Sequence, residues 1–118
     1  MSKAAGIGQF EQVVLAAIVG LAEQAYGVTI HRAVGEFSEP RSVSLGAVYA
    51  TLDRLEDKGL IASWLSDPTP ERGGRSRRYY CLEPAGISAL HESVLMAKRI
   101  CDRIEGVWGE TIWNARPA

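Results

Sequence analysis

From Pro84 onward, Ile87, Leu90, Val94, Ala97, Cys101, Ile104 and Trp108 recur at three-four spacing for three heptads. That is the pattern of one long helix with a continuous apolar stripe, and Met96, Ile100 and Val107 widen it. Pro84 suits the first turn of such a helix. A chain of 118 residues builds one domain and one core. It has too little core left to cover three heptads of apolar surface. The stripe therefore calls for a second subunit, and a homodimer is expected, with Phe10 and Val14 of the first helix joining the same interface.

Ahead of this segment lie three shorter helical patterns. Phe10, Val13, Val14, Ala17, Ile18 and Leu21 mark a helix over Gln9 to Glu23, broken at Ala25-Tyr26-Gly27. Val28, Ile30 and Val34 mark a second, running to about Glu36 before Pro40 ends the region. Ser44 is a good N-cap and Gly59 a good stop for a third, with Leu45, Val48, Leu52 and Leu55 on one side. Gly46, Ala50, Asp53, Arg54 and Asp57 lie roughly opposite, and Tyr49 on the flank.

Leu60 to Ser66 and Arg77 to Leu82 read as two strands around a turn-rich loop. The expected fold is mainly α with a small β-hairpin: a winged helix-turn-helix domain over residues 1–83, its wing at about 67–76. A C-terminal dimerisation helix and tail follow over 84–118. Hydrophobic residues make up 47% and charged residues 23%, which suits a folded chain and argues against disorder.

Net charge gives no hint of nucleic acid, because 13 basic residues face 14 acidic ones. The distribution does. All four basic residues of 61–82 are arginines between Arg72 and Arg78, and a local cationic patch attracts phosphate whatever the distant charges do. Arg72, Gly74, Arg75, Arg77 and Arg78 are therefore candidate DNA contacts, since guanidinium groups bond phosphate in bidentate fashion and enter narrow minor grooves. On the third helix, Gly46, Ala47 and Ala50 are small enough for close approach to a major groove. Ser44 and Thr51 offer hydroxyls, Tyr49 offers a phenol and Arg54 a cation. Asp53, Glu56 and Asp57 oppose binding there.

Several strings carry a resemblance: Phe10-Glu11-Gln12-Val13-Val14-Leu15, Ala25-Tyr26-Gly27, the run Ser44 to Leu60, Glu71-Arg72-Gly73-Gly74-Arg75, Arg78-Tyr79-Tyr80 and Pro84-Ala85-Gly86. Over about residues 8–90 the chain resembles the PadR family, the phenolic-acid decarboxylase regulators. The resemblance implies a winged-helix dimer, usually a repressor, with Tyr49 on the recognition helix and Arg75, Arg77 and Arg78 on the wing. It also implies that the last helix makes much of the dimer interface, as in the smaller subfamily. Some members bind planar aromatic compounds between subunits; Trp108, Trp113 and Phe10 are the aromatic residues available for such an effector, and packing is their ordinary alternative role.

Other classes find little support. Cys81 and Cys101 have no CxxC spacing and fall where inert buried thiols usually sit, and His31 and His91 lack short-range ligand partners, so neither metal nor cofactor is expected. No nucleophile–base pair or cofactor motif suggests an enzyme. The longest apolar run, Val13 to Ala22, is about half a membrane span, and no signal peptide is evident, so the cytoplasm is the expected location. Two readings stand: a dimeric repressor bound to double-stranded DNA with inverted half-sites, or a winged-helix module that docks on protein without reading DNA.

Overall fold

The computed structural model describes residues 6–67, 73 and 76–108, with the backbone alone at Trp108. The order is α1 (Gln9–Leu21), a 3-10 turn (Ala22–Gln24), α2 (Gly27–Ser38), α3 (Leu45–Asp57), β1 (Ile61–Leu65), β2 (Arg78–Leu82) and α4 (Pro84–Trp108). This is a mainly helical winged helix-turn-helix with one antiparallel hairpin and a long final helix, as the sequence pattern predicts.

Each boundary has a local cause. At the start of α1, Glu11 reaches back so that its Oε1 accepts the Gly8 amide at 3.1 Å, the second half of a capping box. The helix ends two residues earlier than its periodicity suggests, because Ala22 turns into the left-handed region at φ 53°. The chain then runs extended through Ala25, whose carbonyl accepts the Tyr80 amide at 2.9 Å, and Tyr26 bridges to Tyr79. The connector between α1 and α2 thereby adds a fragment of strand to the hairpin. Thr29 Oγ1 then accepts the Tyr26 amide at 3.1 Å to start α2.

The third helix is closed at both ends by its own sequence. Ser44 Oγ accepts the Ala47 amide at 3.0 Å, the N-cap bond expected of serine. At the other end Gly59, at φ 77°, donates to Glu56 O at 2.9 Å while Leu60 donates to Leu55 O at 3.0 Å. That pair of bonds is a Schellman motif and needs the left-handed freedom of glycine.

The core lies where α1, α2 and α3 meet the hairpin. Val14, Leu15 and Ile18 of α1, Ile30 and Val34 of α2, and Val48, Leu52 and Leu55 of α3 are buried together with Ile61 and Tyr80. Val14 is fully buried here, which corrects its assignment to the dimer interface: it points along the inward stripe of α1. Burial pushes the Tyr80 phenol above its ordinary pKa, with the Arg78 charge opposing. The first turns of α4 close the core. Ala89 is buried, Leu90 is half-buried against it, and Ser93 Oγ donates to Gln12 Oε1 at 2.7 Å.

Both cysteines are exposed within the chain, against the expectation of buried thiols. Alternation along β2 turns Tyr80 inward and Cys81 outward, and Cys101 lies on α4 beyond the turns that seal the core. Among the described residues no helix is long and apolar enough to cross a membrane. No group of three or more His, Cys, Asp and Glu is placed there to hold a metal ion. His31 instead ties α2 to the next loop, its Nε2 standing 2.7 Å from Val43 O.

Candidate nucleic-acid interface

With Val48, Thr51, Leu52 and Leu55 turned inward, the opposite side of α3 presents Gly46, Ala50, Asp53 and Asp57 to solvent. Ser44 and Ala47 are exposed at the N-terminal end. Leu45 and Tyr49 each keep about two-fifths of their surface, at 42% and 41%. A helix with small residues at its outer N-terminal turns can approach a groove closely. Thr51 is not part of that surface. It is 2% exposed and its Oγ1 accepts from Arg54 Nη2 at 3.1 Å, so the expectation of a phosphate-bonding hydroxyl is corrected: position 51 falls on the inward arc.

Arg54 is engaged elsewhere too. Its Nε lies 3.3 Å from Glu11 Oε2 and Lys58 Nζ 2.9 Å from the same oxygen. Lys58 also donates to Glu11 Oε1 at 3.2 Å. Burial alone pushes the Glu11 carboxyl up, but Lys58, the Gly8 amide and Arg54 together outweigh it and hold its pKa below the usual value. Neither Glu11 nor Lys58 was singled out by sequence. A signal existed: Glu11 stands at i, i+3, i+4 and i+7 with Val14, Leu15 and Ile18, and a carboxylate on an apolar stripe demands partners.

The wing is rooted by aromatic and polar contacts. Trp64 stacks on Tyr79 at 6.1 Å and Tyr79 meets Tyr26 edge-on at 5.4 Å. The Arg77 guanidinium sits 4.0 Å from the Tyr26 ring centre and its Nη1 reaches the Tyr79 hydroxyl at 3.5 Å. A cation over an aromatic face is attracted by the ring's quadrupole. Arg78 Nη1 donates to Ser63 Oγ at 2.8 Å, and Ser63 donates to Glu56 Oε2 at 2.8 Å. This chain joins the hairpin to the last turn of α3. Arg72, Gly74 and Arg75 lie outside the described residues, as does Trp113. Gly73 adopts φ 65°, a conformation that suits glycine.

A cavity of about 800 Å³ opens between α1, the end of α2 and the start of α3, lined among others by Phe10, Val13, Phe37, Arg41, Ser44 and Ala47. Phe10 is half-buried there against the core. A smaller, mainly apolar cavity of about 440 Å³ lies between α1, the hairpin and α4, with Val19, Trp64, Cys81 and Ile87 in its wall. On α4, Ile87 and Val94 are exposed, Ala97 and Ile104 half-buried, and the side chain of Trp108 lies outside what the structure describes.

An N-capped helix with a small-residue outer face, a hairpin pinned beside it and a long terminal helix define a winged helix-turn-helix regulator of transcription. The family model for the transcriptional regulator PadR-like family matches residues 14–92, and the chain belongs to that family. Such regulators bind DNA and are not enzymes. A PadR family transcription regulator from hypervirulent Clostridium difficile R20291 superposes with a TM-score of 0.70 at 26% identity, over 85% of this chain and 98% of the other. A Streptococcus transcriptional regulator gives 0.66 at 26% identity, over 82% and 89%. Bordetella bronchiseptica BpsR gives 0.63 at 19% identity, over 98% and 73%, a likeness of fold alone. No curated protein matches the sequence significantly.

Proposed function

We propose that the protein is a homodimeric repressor that reads an operator with inverted half-sites in double-stranded DNA. In this reading residues 1–83 form the DNA-binding unit and 84–118 the dimerisation helix and tail. One α3 enters each of two major grooves a helical turn apart, about 34 Å, while the wings reach flanking backbone. Ser44, Gly46, Ala47, Tyr49 and Ala50 face the groove, and Arg72, Gly74, Arg75, Arg77 and Arg78 serve the wing. The observation that carries the reading is the exposed N-terminal half of α3, capped by Ser44, beside a hairpin whose second strand is entered through Arg77 and Arg78.

Dimerisation is supported by the apolar side chains that α4 leaves in solvent, with Ile87 58%, Met96 56%, Ile100 52% and Val107 70% exposed. A stripe of this size on a small domain marks an interface. A small aromatic effector belongs to the proposal as well. The DNA binding of BpsR is regulated by 6-hydroxynicotinic acid, and the cavity beside α3 offers Phe10, Phe37 and Arg41 to a ligand of that class.

The test is fluorescence anisotropy against labelled fragments of the gene's own upstream region, across salt concentrations, with a random duplex as control. Tighter binding to one upstream fragment that weakens steeply with salt supports the reading. Equal weak binding to every duplex, or none, moves the protein-docking alternative to the front.

A further inference from the structure

Arg54 in the last turns of α3 and Lys58 at its C-cap are both engaged within the chain. Arg54 and Lys58 stand one turn apart on one flank of α3, the flank that also bears Ala47. Both reach the same carboxylate on α1, at 3.3 and 2.9 Å. Glu11 is 7% exposed, whereas the side chains of Arg54 and Lys58 keep 54% and 33% of their surface. Phosphate arriving from solvent can therefore reach both cations, but it finds the carboxylate's charge already set against the pair. What α3 otherwise offers in charge is Asp53, Glu56 and Asp57, all exposed and all repelling DNA.

A buried carboxylate with two basic partners is an expensive way to join two helices. Its charge is held away from water while the guanidinium and ammonium that offset it keep much of their own exposure. Glu11 serves the fold through its capping bond and these ion pairs, and the same geometry has a consequence for DNA. An internal anion competes with phosphate for Arg54 and for Lys58 at the C-cap of α3.

We infer that Glu11 is a specificity-determining residue, which withholds Arg54 and Lys58 from the DNA backbone so that duplex without the right base edges is held weakly. The inference rests on the DNA-binding function proposed above. Because wing arginines and α3 contribute separately, Glu11 lowers the sequence-independent share of affinity and leaves base contacts at the N-terminal half of α3 untouched. Specific binding then stands out against a weaker background.

The experiment measures binding of a random duplex and of the preferred upstream fragment by wild type, Glu11→Gln and Glu11→Gln/Lys58→Met, each across a salt series. Glu11→Gln is expected to bind the random duplex more tightly and with a log-affinity against log-salt slope steeper by about 1 to 2 per protomer, one for each freed cation that meets a phosphate. The ratio of upstream to random affinity falls, and Lys58→Met in the same background takes back about 1 of the added slope. Weaker binding, or an unchanged slope, overturns the inference, because loss of a purely structural contact would not strengthen binding. Should Glu11→Gln fail to fold, Glu11→Asp keeps the charge on a shorter arm that cannot serve both cations. A steeper slope then supports the inference and an unchanged or shallower one overturns it. Wild type decides the DNA-binding reading separately: if it shows no salt-dependent binding to any duplex, that reading fails and this inference falls with it.

Discussion

The Tyr49 phenol occupies the space where a β-carbon on Gly27 would stand. A carbon there would overlap the tyrosine hydroxyl and lie 2.6 Å from Cζ and 2.9 Å from Cε1. Gly27 is the first residue of α2 and Tyr49 lies on the flank of α3, so this contact sets how closely the two helices of the helix-turn-helix approach. The tyrosine proposed to meet DNA is thereby also held from behind.

Gly27→Ala is accordingly expected to destabilise the fold by about 1–3 kcal/mol, the usual range for overpacking, and to displace Tyr49. Urea unfolding checks the first part. In a Tyr49→Ala background the added methyl meets no phenol, and the cost of Gly27→Ala should largely vanish. A cost that persists would show that the strain lies in the backbone instead.

The same argument applies at Gly86, where the neighbour is backbone rather than a side chain. A β-carbon there would overlap the Leu60 carbonyl oxygen and lie 3.0 Å from the carbonyl carbon. That oxygen accepts the Glu83 amide at 2.9 Å, so it is backbone fixed by a bond and cannot swing aside like a tyrosine. Gly86→Ala is expected to cost more than Gly27→Ala, toward about 3 kcal/mol. It should also shift the start of α4, which limited proteolysis would report as earlier cleavage within that helix.

How far these features were legible differs by element. The helices, the Ser44 cap and the Gly59 stop follow from periodicity and local bonding, which act over a few residues and are written in sequence order. The wing root was only half legible. Arg77 and Arg78 stood out as charges, yet their partners Tyr26 and Ser63 are brought to them by tertiary packing. Val14 and Thr51 show the limit of reading one helix at a time. Each sits on a face that periodicity identifies, but whether that face meets the chain's own core, a partner or DNA depends on what lies across from it. Glu11 gave a signal of charge in an apolar stripe, and its partners lay 43 and 47 residues away.

Acid should weaken the fold through Glu11. Its folded pKa lies below the ordinary value of 4.5, so the ionised form is favoured in the folded state. The stability this supplies is present above about the unfolded pKa and is lost as pH falls through the folded one. Glu11→Gln removes that dependence. The gap in denaturation midpoint between wild type and Glu11→Gln is expected to be widest near neutrality and to close on acidification. A gap that stays constant with pH would assign the loss to packing rather than to charge.

At the wing, Arg75→Ala with Arg77→Ala is expected to weaken binding to all sequences alike and make the salt slope shallower by about 1 to 2. Arg77 also lies over the Tyr26 ring, so Arg77→Ala alone should lower stability, by about 0.5–1 kcal/mol for a partly exposed cation over an aromatic face. A slope that does not change, with the protein still folded by circular dichroism, removes both arginines from the phosphate contacts.

The last helix separates two kinds of apolar residue that sequence alone does not distinguish. A helix of 25 residues runs about 37 Å at 1.5 Å per residue, and its first turns, through Ala89, Leu90 and Ser93, are held by the other described residues. Beyond them Ile100 and Val107 are exposed and Ile104 is half-covered. A helix of marginal intrinsic stability needs packing to persist. Ile104→Asp is therefore expected to give folded monomers, because a buried charge in the seam opposes association while the core of α1 to α3 is untouched. Val14→Asp, in contrast, places the same charge in the intramolecular core and should unfold the domain. Sedimentation equilibrium distinguishes a single 12.8 kDa chain from a pair. An intact dimer of Ile104→Asp would move the interface off this stripe, and a folded Val14→Asp monomer would return Val14 to it.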